Sequence, residues 1–371
     1  MMNENKLRVL LTTNIPAPYM VDYLSELGKK CELTVLFEIE RAKDRVASWY
    51  GNNNSSFKSI FLHGIPCGNE AGFSLRVIKY LSVKKYDRII IANPTTPTGI
   101  VALLYCRWFH VPFIIQSEGG FQGSGKGFKE KFKKYIMEKA EFYLTGMGGD
   151  NDYFLKYGAT FDRLRKYPFT SLKKQNIDTH LVSNSEKNIL RKKLGIKYKK
   201  VVLSVGQFIY RKGYDILLES ITKLDDSIGF YIIGGKPAIE YTNYVKKNNL
   251  KNVFFVDFMP QSALKEYYQC ADLFVLPTRE DTWGLVINEA MANGLPVITT
   301  DKCIAGLQLI ENKINGFIVK SNDVKAMANR ISLLLQDDEK RAFMAKQNIE
   351  KIKPYNIENM TDIIFQNISN E

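Results

Sequence analysis

Two hydrophobic patterns alternate along the chain. Short apolar runs, Arg8 to Thr12, Leu33 to Phe37, Ile89 to Ala92, Pro112 to Gln116 and Phe142 to Thr145, predict strands covered on both faces. Between them, Tyr19 to Leu27, Thr98 to Phe109 and a lysine-rich segment after Lys126 carry apolar residues three or four apart, the spacing of one helical face. The pattern breaks at Tyr167-Pro168-Phe169-Thr170-Ser171-Leu172, and a polar stretch runs to Ser185. A second series follows with strands Val201 to Val205, Phe230 to Ile233, Val253 to Val256, Leu273 to Leu276 and Val297 to Thr300. Its helices are expected from Lys212, over Pro237 to Asn248, over Gln261 to Cys270 and over Leu285 to Asn293. Strand and helix alternating in this way predict an α/β chain of two doubly wound, Rossmann-like parallel-sheet domains, residues 1–172 and 185–353, facing across a cleft that would take the ligands.

The length of 371 residues agrees with two domains rather than one core. No run approaches the roughly 18 apolar residues of a membrane-spanning helix. The segment Met1 to Arg8 lacks the apolar stretch of a secretion signal, so a cytoplasmic location is expected. Five scattered cysteines and three isolated histidines offer neither a disulfide framework nor a histidine metal site. The charge changes the picture more. Fifty-two Lys and Arg against 39 Asp and Glu give +13, which points to a polyanionic partner: nucleic acid, a phosphorylated ligand or an anionic membrane face. The densest cluster, Lys126, Lys129, Lys131, Lys133, Lys134 and Lys139, interleaves with Phe128, Phe132, Tyr135, Ile136 and Met137. It suits a solvated helix face over a core stripe, or a peripheral membrane-surface patch.

Two segments carry candidate chemistry. After the strand Val201 to Val205 come Gly206-Gln207-Phe208-Ile209-Tyr210-Arg211-Lys212-Gly213. Gly206 permits close backbone approach, and Arg211 and Lys212 stand where helix N–H groups already favour anions. This suits a diphosphate clamp or a solvent-exposed basic turn. After Leu273 to Leu276 an acidic loop, Glu280-Asp281, leads to Gly284 and a helix containing Glu289. The N–H groups of Gly284, Leu285 and Val286 are placed to hold a phosphate, Glu289 to accept from ribose hydroxyls, and Asp281 to face a sugar beyond the phosphate. The same run also suits an amphipathic helix with a solvated acidic start.

The stretch from Asp281 through Glu289 to Ala290-Met291-Ala292-Asn293-Gly294-Leu295-Pro296-Val297-Ile298 resembles the signature of glycosyltransferase family 4, a Glu-x7-Glu element before that same apolar run. Arg211-Lys212-Gly213 is similar to the family's phosphate turn, and Asp301 to Gly306 with Gly316 to Val319 to its usual continuation. Asn14 to Tyr19 and Tyr167 to Leu172 look similar to segments of members that build bacterial surface glycans. The chain departs at three places. Asp281 stands where the signature starts with Glu, Gln207 where an Arg follows the glycine, and Thr12 to Pro16 where a glycine pair is common. The resemblance implies a GT-B fold with the donor held by the second domain, the acceptor by the first, and a last helix of about 355–371 returning to the first. It also implies transfer with retention from a UDP-sugar or GDP-sugar to a glycan or lipid-linked acceptor of a bacterial surface polysaccharide, with no cofactor and no metal. Physical chemistry agrees on the last point, since Arg211, Lys212 and a helix N-terminus can offset a leaving diphosphate's charge.

Glu118, at the end of a strand and before Gly119-Gly120, is the first-domain carboxylate best placed to orient an acceptor or act as a weak base, with Asn14 beside it in rank. The catalytic set expected is thus Glu118, Asp281, Arg211 and Lys212. His110 follows a helix and suits a capping position. Two rival readings stand against a transferase. Gly120-Phe121-Gln122-Gly123-Ser124-Gly125-Lys126 matches the phosphate loop of nucleotide triphosphatases, but Gly127 lacks the hydroxyl that would reach magnesium. A basic nucleic-acid binder needs exposed stacking aromatics, whereas these strands read as buried, so no nucleic-acid partner is expected. A phosphorylase would need a longer chain and a lysine-bound pyridoxal.

Overall fold

The computed structural model describes residues 6–41, 56–118, 120, 127–146, 151–177 and 180–370. The chain divides into two compact units, Met1–Ser171 with Tyr355–Glu371, and Leu172–Pro354. The phosphate-loop residues 121–126 lie outside the described residues.

The first unit runs β1 (Arg8–Thr13), α1 (Pro18–Lys30), β2 (Glu32–Phe37), β3 (Lys58–Phe61), β4 (Ile65–Cys67), β5 (Ala71–Phe73), β6 (Arg88–Ile91), α2 (Pro97–Trp108), β7 (Ile114–Ser117), α3 (Phe128–Met137), β8 (Tyr143–Gly146), α4 (Asn151–Lys156) and β9 (Leu164–Tyr167). Seven strands form one parallel sheet in the order β3-β2-β1-β6-β7-β8-β9, and β4 and β5 form a separate antiparallel pair. Val9, Leu10 and Leu11 in β1 and Ile89, Ile90 and Ile91 in β6 are all buried, as a sheet covered on both faces requires. Each such side chain contributes about 1.5–3 kcal/mol of burial energy. Thr96 caps α2 by accepting from the Gly99 N–H at 3.1 Å. At its other end His110 has φ of 54° and Val111 N–H reaches the Cys106 carbonyl at 2.9 Å, the closing bond of a left-handed helix cap.

The second unit holds α5 (Asn184–Lys193), β10 (Lys200–Val205), α6 (Tyr214–Ile221), β11 (Ile228–Ile233), α7 (Ile239–Lys247), β12 (Val253–Val256), α8 (Gln261–Cys270), β13 (Leu273–Leu276), α9 (Leu285–Ala292), β14 (Val297–Thr300), α10 (Ile304–Leu309), β15 (Gly316–Val319), α11 (Val324–Gln336) and α12 (Asp338–Ile352). Its parallel sheet has the order β12-β11-β10-β13-β14-β15. That is the doubly wound order, with the direction of winding reversing between β10 and β13. The last helix, α13 (Ile357–Ser369), belongs to the first unit, where it packs on α1 and β9 and where the Ile368 carbonyl accepts from Arg88 Nε at 2.9 Å.

Four sequence expectations differ from the structure. The helix expected from Lys212 starts at Tyr214, because Gly213 takes φ of 69° and a Cβ there would stand 2.2 Å from the Pro277 carbonyl oxygen. The helix expected from Pro237 starts at Ile239. Strands β3 and β9 at the sheet edges are missing from the sequence reading, since Lys58-Ser59-Ile60-Phe61 and Leu164-Arg165-Lys166-Tyr167 carry edge polarity. The antiparallel β4–β5 pair, whose strands are three residues each, also escapes a periodicity test.

A buried ion pair ties α5 to the sheet. Arg191 Nη2 donates to Asp272 Oδ2 at 2.8 Å and to the Cys270 carbonyl at 2.7 Å, while Asp272 Oδ2 also accepts the Val201 N–H at 2.8 Å. Both side chains are buried. Arg191→Met removes the closer of two cations, leaving Lys187 Nζ at 3.3 Å from Asp272 Oδ1, and is expected to lower stability by about 1.5–3 kcal/mol in denaturant unfolding. An unchanged midpoint would show that the pair is not structural.

Candidate functional site

The reversal of strand order leaves the loops after β10 and β13 diverging at the carboxyl end of the second sheet, and both candidate segments stand there. The β10 loop turns at Gly206, crosses a short 3-10 turn over Tyr210–Lys212 and enters α6 through Gly213. The β13 loop runs from Pro277 to Gly284, which has φ of 100° and whose Cβ position would lie 2.7 Å from Cys303 Sγ, so only glycine fits before α9.

These loops are stitched together. The Arg211 carbonyl accepts the Arg279 N–H at 2.7 Å and Thr278 Oγ1 at 2.8 Å. Arg279 forks onto Asp215 at 2.8 and 2.5 Å and lies 4.1 Å over the Tyr210 ring. Lys212 Nζ pairs with Asp281 Oδ2 at 2.5 Å, and Arg211 Nη1 lies 3.7 Å from Asp281 Oδ1. The Lys212 and Asp281 side chains are nearly buried, whereas that of Arg211 is half exposed. The two Asp281 oxygens are turned onto these cations, where the low dielectric strengthens the attraction. Asp281 N–H donates to the Lys302 carbonyl at 2.8 Å, and Trp283 Nε1–H to Asn288 Oδ1 at 2.9 Å, so the approach to α9 is held on both sides.

Gly284, Leu285 and Val286 form the start of α9, where N–H groups have no partner within the helix and the local field favours an anion. Thus Arg211, Lys212, Gly206 and the first turn of α9 are brought to the same end of one sheet. Glu289 lies on the side of α9 toward α8. Tyr268 Oη–H donates to Glu289 Oε2 at 2.8 Å. Burial pushes the Glu289 carboxyl up to about 7, with Tyr268 and Gln261 pulling it back by donating to the charged form. The two residues line a cavity of about 350 Å³ with Gln261, Ser262, Lys265 and Asn293. Tyr268 and Arg279 are absent from the sequence reading, because an apolar-looking tyrosine in a helix and an arginine in a loop carry no motif of their own.

In the first unit Asn14 follows β1 and Glu118 follows β7, both at carboxyl ends of strands with β6 between them. The Asn14 carbonyl accepts the N–H groups of Glu38 and Ile39 at 3.0 and 3.2 Å. The Glu118 carboxyl is raised above its ordinary value by desolvation. A further carboxylate that the sequence hid at the end of an apolar run, Glu38, is buried after β2 and accepts from the Gly72 N–H at 2.7 Å, from Asn93 Nδ2 and from Thr96 Oγ1. Elsewhere on this unit, α3 exposes Phe128, Lys131, Lys134 and Tyr135. Arg107 stacks 3.7 Å over Tyr135, and Trp108 and Phe109 stand exposed at the end of α2.

Among the described residues no group of three or more His, Cys, Asp or Glu is placed to hold a metal ion. No helix of the described residues is long and apolar enough to cross a membrane.

Comparison with known proteins places this geometry. Residues 186–351 match the family model described as glycosyl transferases group 1. The chain is 22% identical over 284 residues to the N,N'-diacetylbacillosaminyl-diphospho-undecaprenol alpha-1,3-N-acetylgalactosaminyltransferase of Campylobacter jejuni, covering 74% of each chain. It is 26% identical over 292 residues to protein CapJ of Staphylococcus aureus, covering 76% of this chain and 71% of that one. Its fold is that of Anabaena Alr3699/HepE, solved in complex with UDP, with a TM-score of 0.78 and 16% identity over 98% of this chain and 100% of that one. The chain therefore has the GT-B fold, and residues 186–351 of its second unit carry the glycosyl transferases group 1 domain.

Proposed function

We propose that this chain is a glycosyltransferase that moves one sugar from a UDP-sugar or GDP-sugar, with retention and without a metal, onto a hydroxyl of a glycan or lipid-linked acceptor in bacterial surface polysaccharide synthesis. The observation that carries the reading is the meeting, at the strand-order reversal of the second unit, of Lys212, Arg211 and the start of α9. Two cations and unpaired helix N–H groups suit a diphosphate whose charge grows as it leaves. The UDP in the Anabaena structure and the lipid-linked substrate named for the Campylobacter relative support the donor and acceptor classes.

In this reaction the bond from the anomeric carbon to the diphosphate oxygen breaks, and a bond to the acceptor oxygen forms on the same face. The acceptor proton passes to the departing phosphate oxygen. Lys212 and Arg211 offset the charge left behind, and Asp281 holds Lys212 in place from the other side. Glu289 accepts from the ribose hydroxyls. The first unit presents the acceptor, with Asn14 and Glu118 as its orienting groups.

The exposed face of α3 and the end of α2 suit an anionic lipid surface. Each lysine near such a surface contributes about 1 kcal/mol, and Trp, Tyr and Phe sit well at the headgroup level. A cytoplasmic, peripheral enzyme working on lipid-linked acceptors fits this face.

Two outcomes check the reading. With a nucleotide-sugar donor and a lipid-linked acceptor in EDTA, Lys212→Ala is expected to lose roughly a hundredfold or more in turnover while keeping its circular dichroism spectrum. Normal kinetics in that variant would remove the diphosphate site. In vesicle flotation the protein should rise with vesicles containing phosphatidylglycerol and not with purely phosphatidylcholine vesicles, and Phe128→Ser with Lys131→Ser should lower the bound fraction severalfold. Equal behaviour on both vesicle types would contradict the lipid face.

A further inference from the structure

The hydroxyl of Tyr268 has a job that packing does not explain. The residue lies on α8 at helical spacing from Gln261 and Lys265, so that all three face the cavity shared with Glu289 and Asn293. Its ring is core: Tyr268 is 2% exposed and its centroid stands 5.8 Å from that of Phe274. Phenylalanine would fill that place as well. The hydroxyl instead reaches across to α9 and donates to Glu289 Oε2 at 2.8 Å. Burial and the neighbouring carboxylate hold the phenol well above its ordinary value, so it remains a proton donor throughout the range in which the protein works.

Glu289 itself projects from one of the most apolar helices of the chain, with Ile287, Asn288, Ala290, Met291 and Ala292 buried around it. A carboxylate with three freely rotating bonds on such a helix has no reason to keep one direction. A fixed donor on one oxygen removes that freedom and leaves the group oriented before any ligand arrives. It also stabilises the charged form, which accepts hydrogen bonds from two hydroxyls better than the neutral acid does.

We propose that Tyr268 is a positioning residue of the donor site, whose hydroxyl aims the Glu289 carboxylate at the two neighbouring hydroxyls of the donor's ribose. This rests on the nucleotide-sugar reading above and adds a residue to it. The titratable neighbours of Glu289 along the cavity are Tyr268 and Lys265, both on α8. Gln261 is an uncharged donor to the same carboxyl.

The test is titration calorimetry of the full chain with UDP, and with GDP if UDP does not bind, between pH 5.5 and about 9, on wild type, Tyr268→Phe and Glu289→Gln. The sign follows from the chemistry. Wild type should bind more tightly as pH rises through about 7, because the carboxyl is then ionised. Glu289→Gln cannot titrate there and supplies the baseline for the nucleotide's own phosphate. In Tyr268→Phe the charged form loses a donor, so the inflection should move up by roughly one pH unit, with about fivefold weaker binding at pH 7 and about tenfold at the acid end of the range. An inflection unmoved in Tyr268→Phe, or a loss of affinity uniform with pH and matched by a lower melting temperature, would overturn the positioning role and leave Tyr268 as packing. Identical profiles for wild type and Glu289→Gln, or no binding of either nucleotide, would overturn the donor-site reading itself, a separate outcome.

Discussion

The constraint on which the second unit depends is the all-parallel strand order with its reversal between β10 and β13. Parallel strands need crossovers, the crossovers cover both faces, and the only place where neighbouring loops must part is the carboxyl end of the strands flanking the reversal. Lys212, Arg211 and Asp281 all stand on those loops. Gly213 lies close against the Pro277 carbonyl, so these two loops approach as tightly as backbone allows, and Gly284 lies as close to Cys303 beyond β14. The Arg279–Asp215 fork and the Lys212–Asp281 pair then fix their register. A cation held by a buried carboxylate is preorganised for an incoming anion. It loses little freedom on binding, and its charge acts in a medium less screening than water.

Much of this was legible in the chain itself. The central strands of both sheets are continuous apolar runs because they are buried on both faces, and such runs survive any reading for periodicity. Gly284 and Glu289 fell in a spacing that named its own family, and the order of elements gave the two parallel sheets. What stayed hidden has physical causes. Edge strands such as Lys58–Phe61 and Leu164–Tyr167 mix polar with apolar residues because one rim meets water, so they read as loop. A motif fixes where Asp281 stands along the chain but not which atom faces it. Lys212 lies far off in sequence, and only folding shows that the carboxylate pairs with it. Glu38 and Tyr268 were masked by their surroundings, one closing an apolar run and the other among helix aromatics, although each ends in a buried hydrogen bond.

The two units also divide the charge differently in kind. In the second, the chemically pointed cations Lys212 and Arg279 are paired inside the loops, so they define a local site rather than a surface. In the first, lysines of α3 stand exposed among aromatics, an arrangement that suits an extended anionic surface. A net charge of +13 therefore does not by itself imply nucleic acid, since the strands of the two large parallel sheets are mostly buried and offer no open stacking platform.

The central claim is that a nucleoside diphosphate binds the second unit without a metal. Thermal unfolding of the full chain with UDP, GDP, CMP or ATP, each in EDTA and in magnesium, tests it most directly, since a ligand at a hundred times its Kd adds about 2.7 kcal/mol to the native state. The account predicts a rise in Tm with UDP or GDP that persists in EDTA. A rise only with ATP and magnesium, or none with any nucleotide, would contradict it.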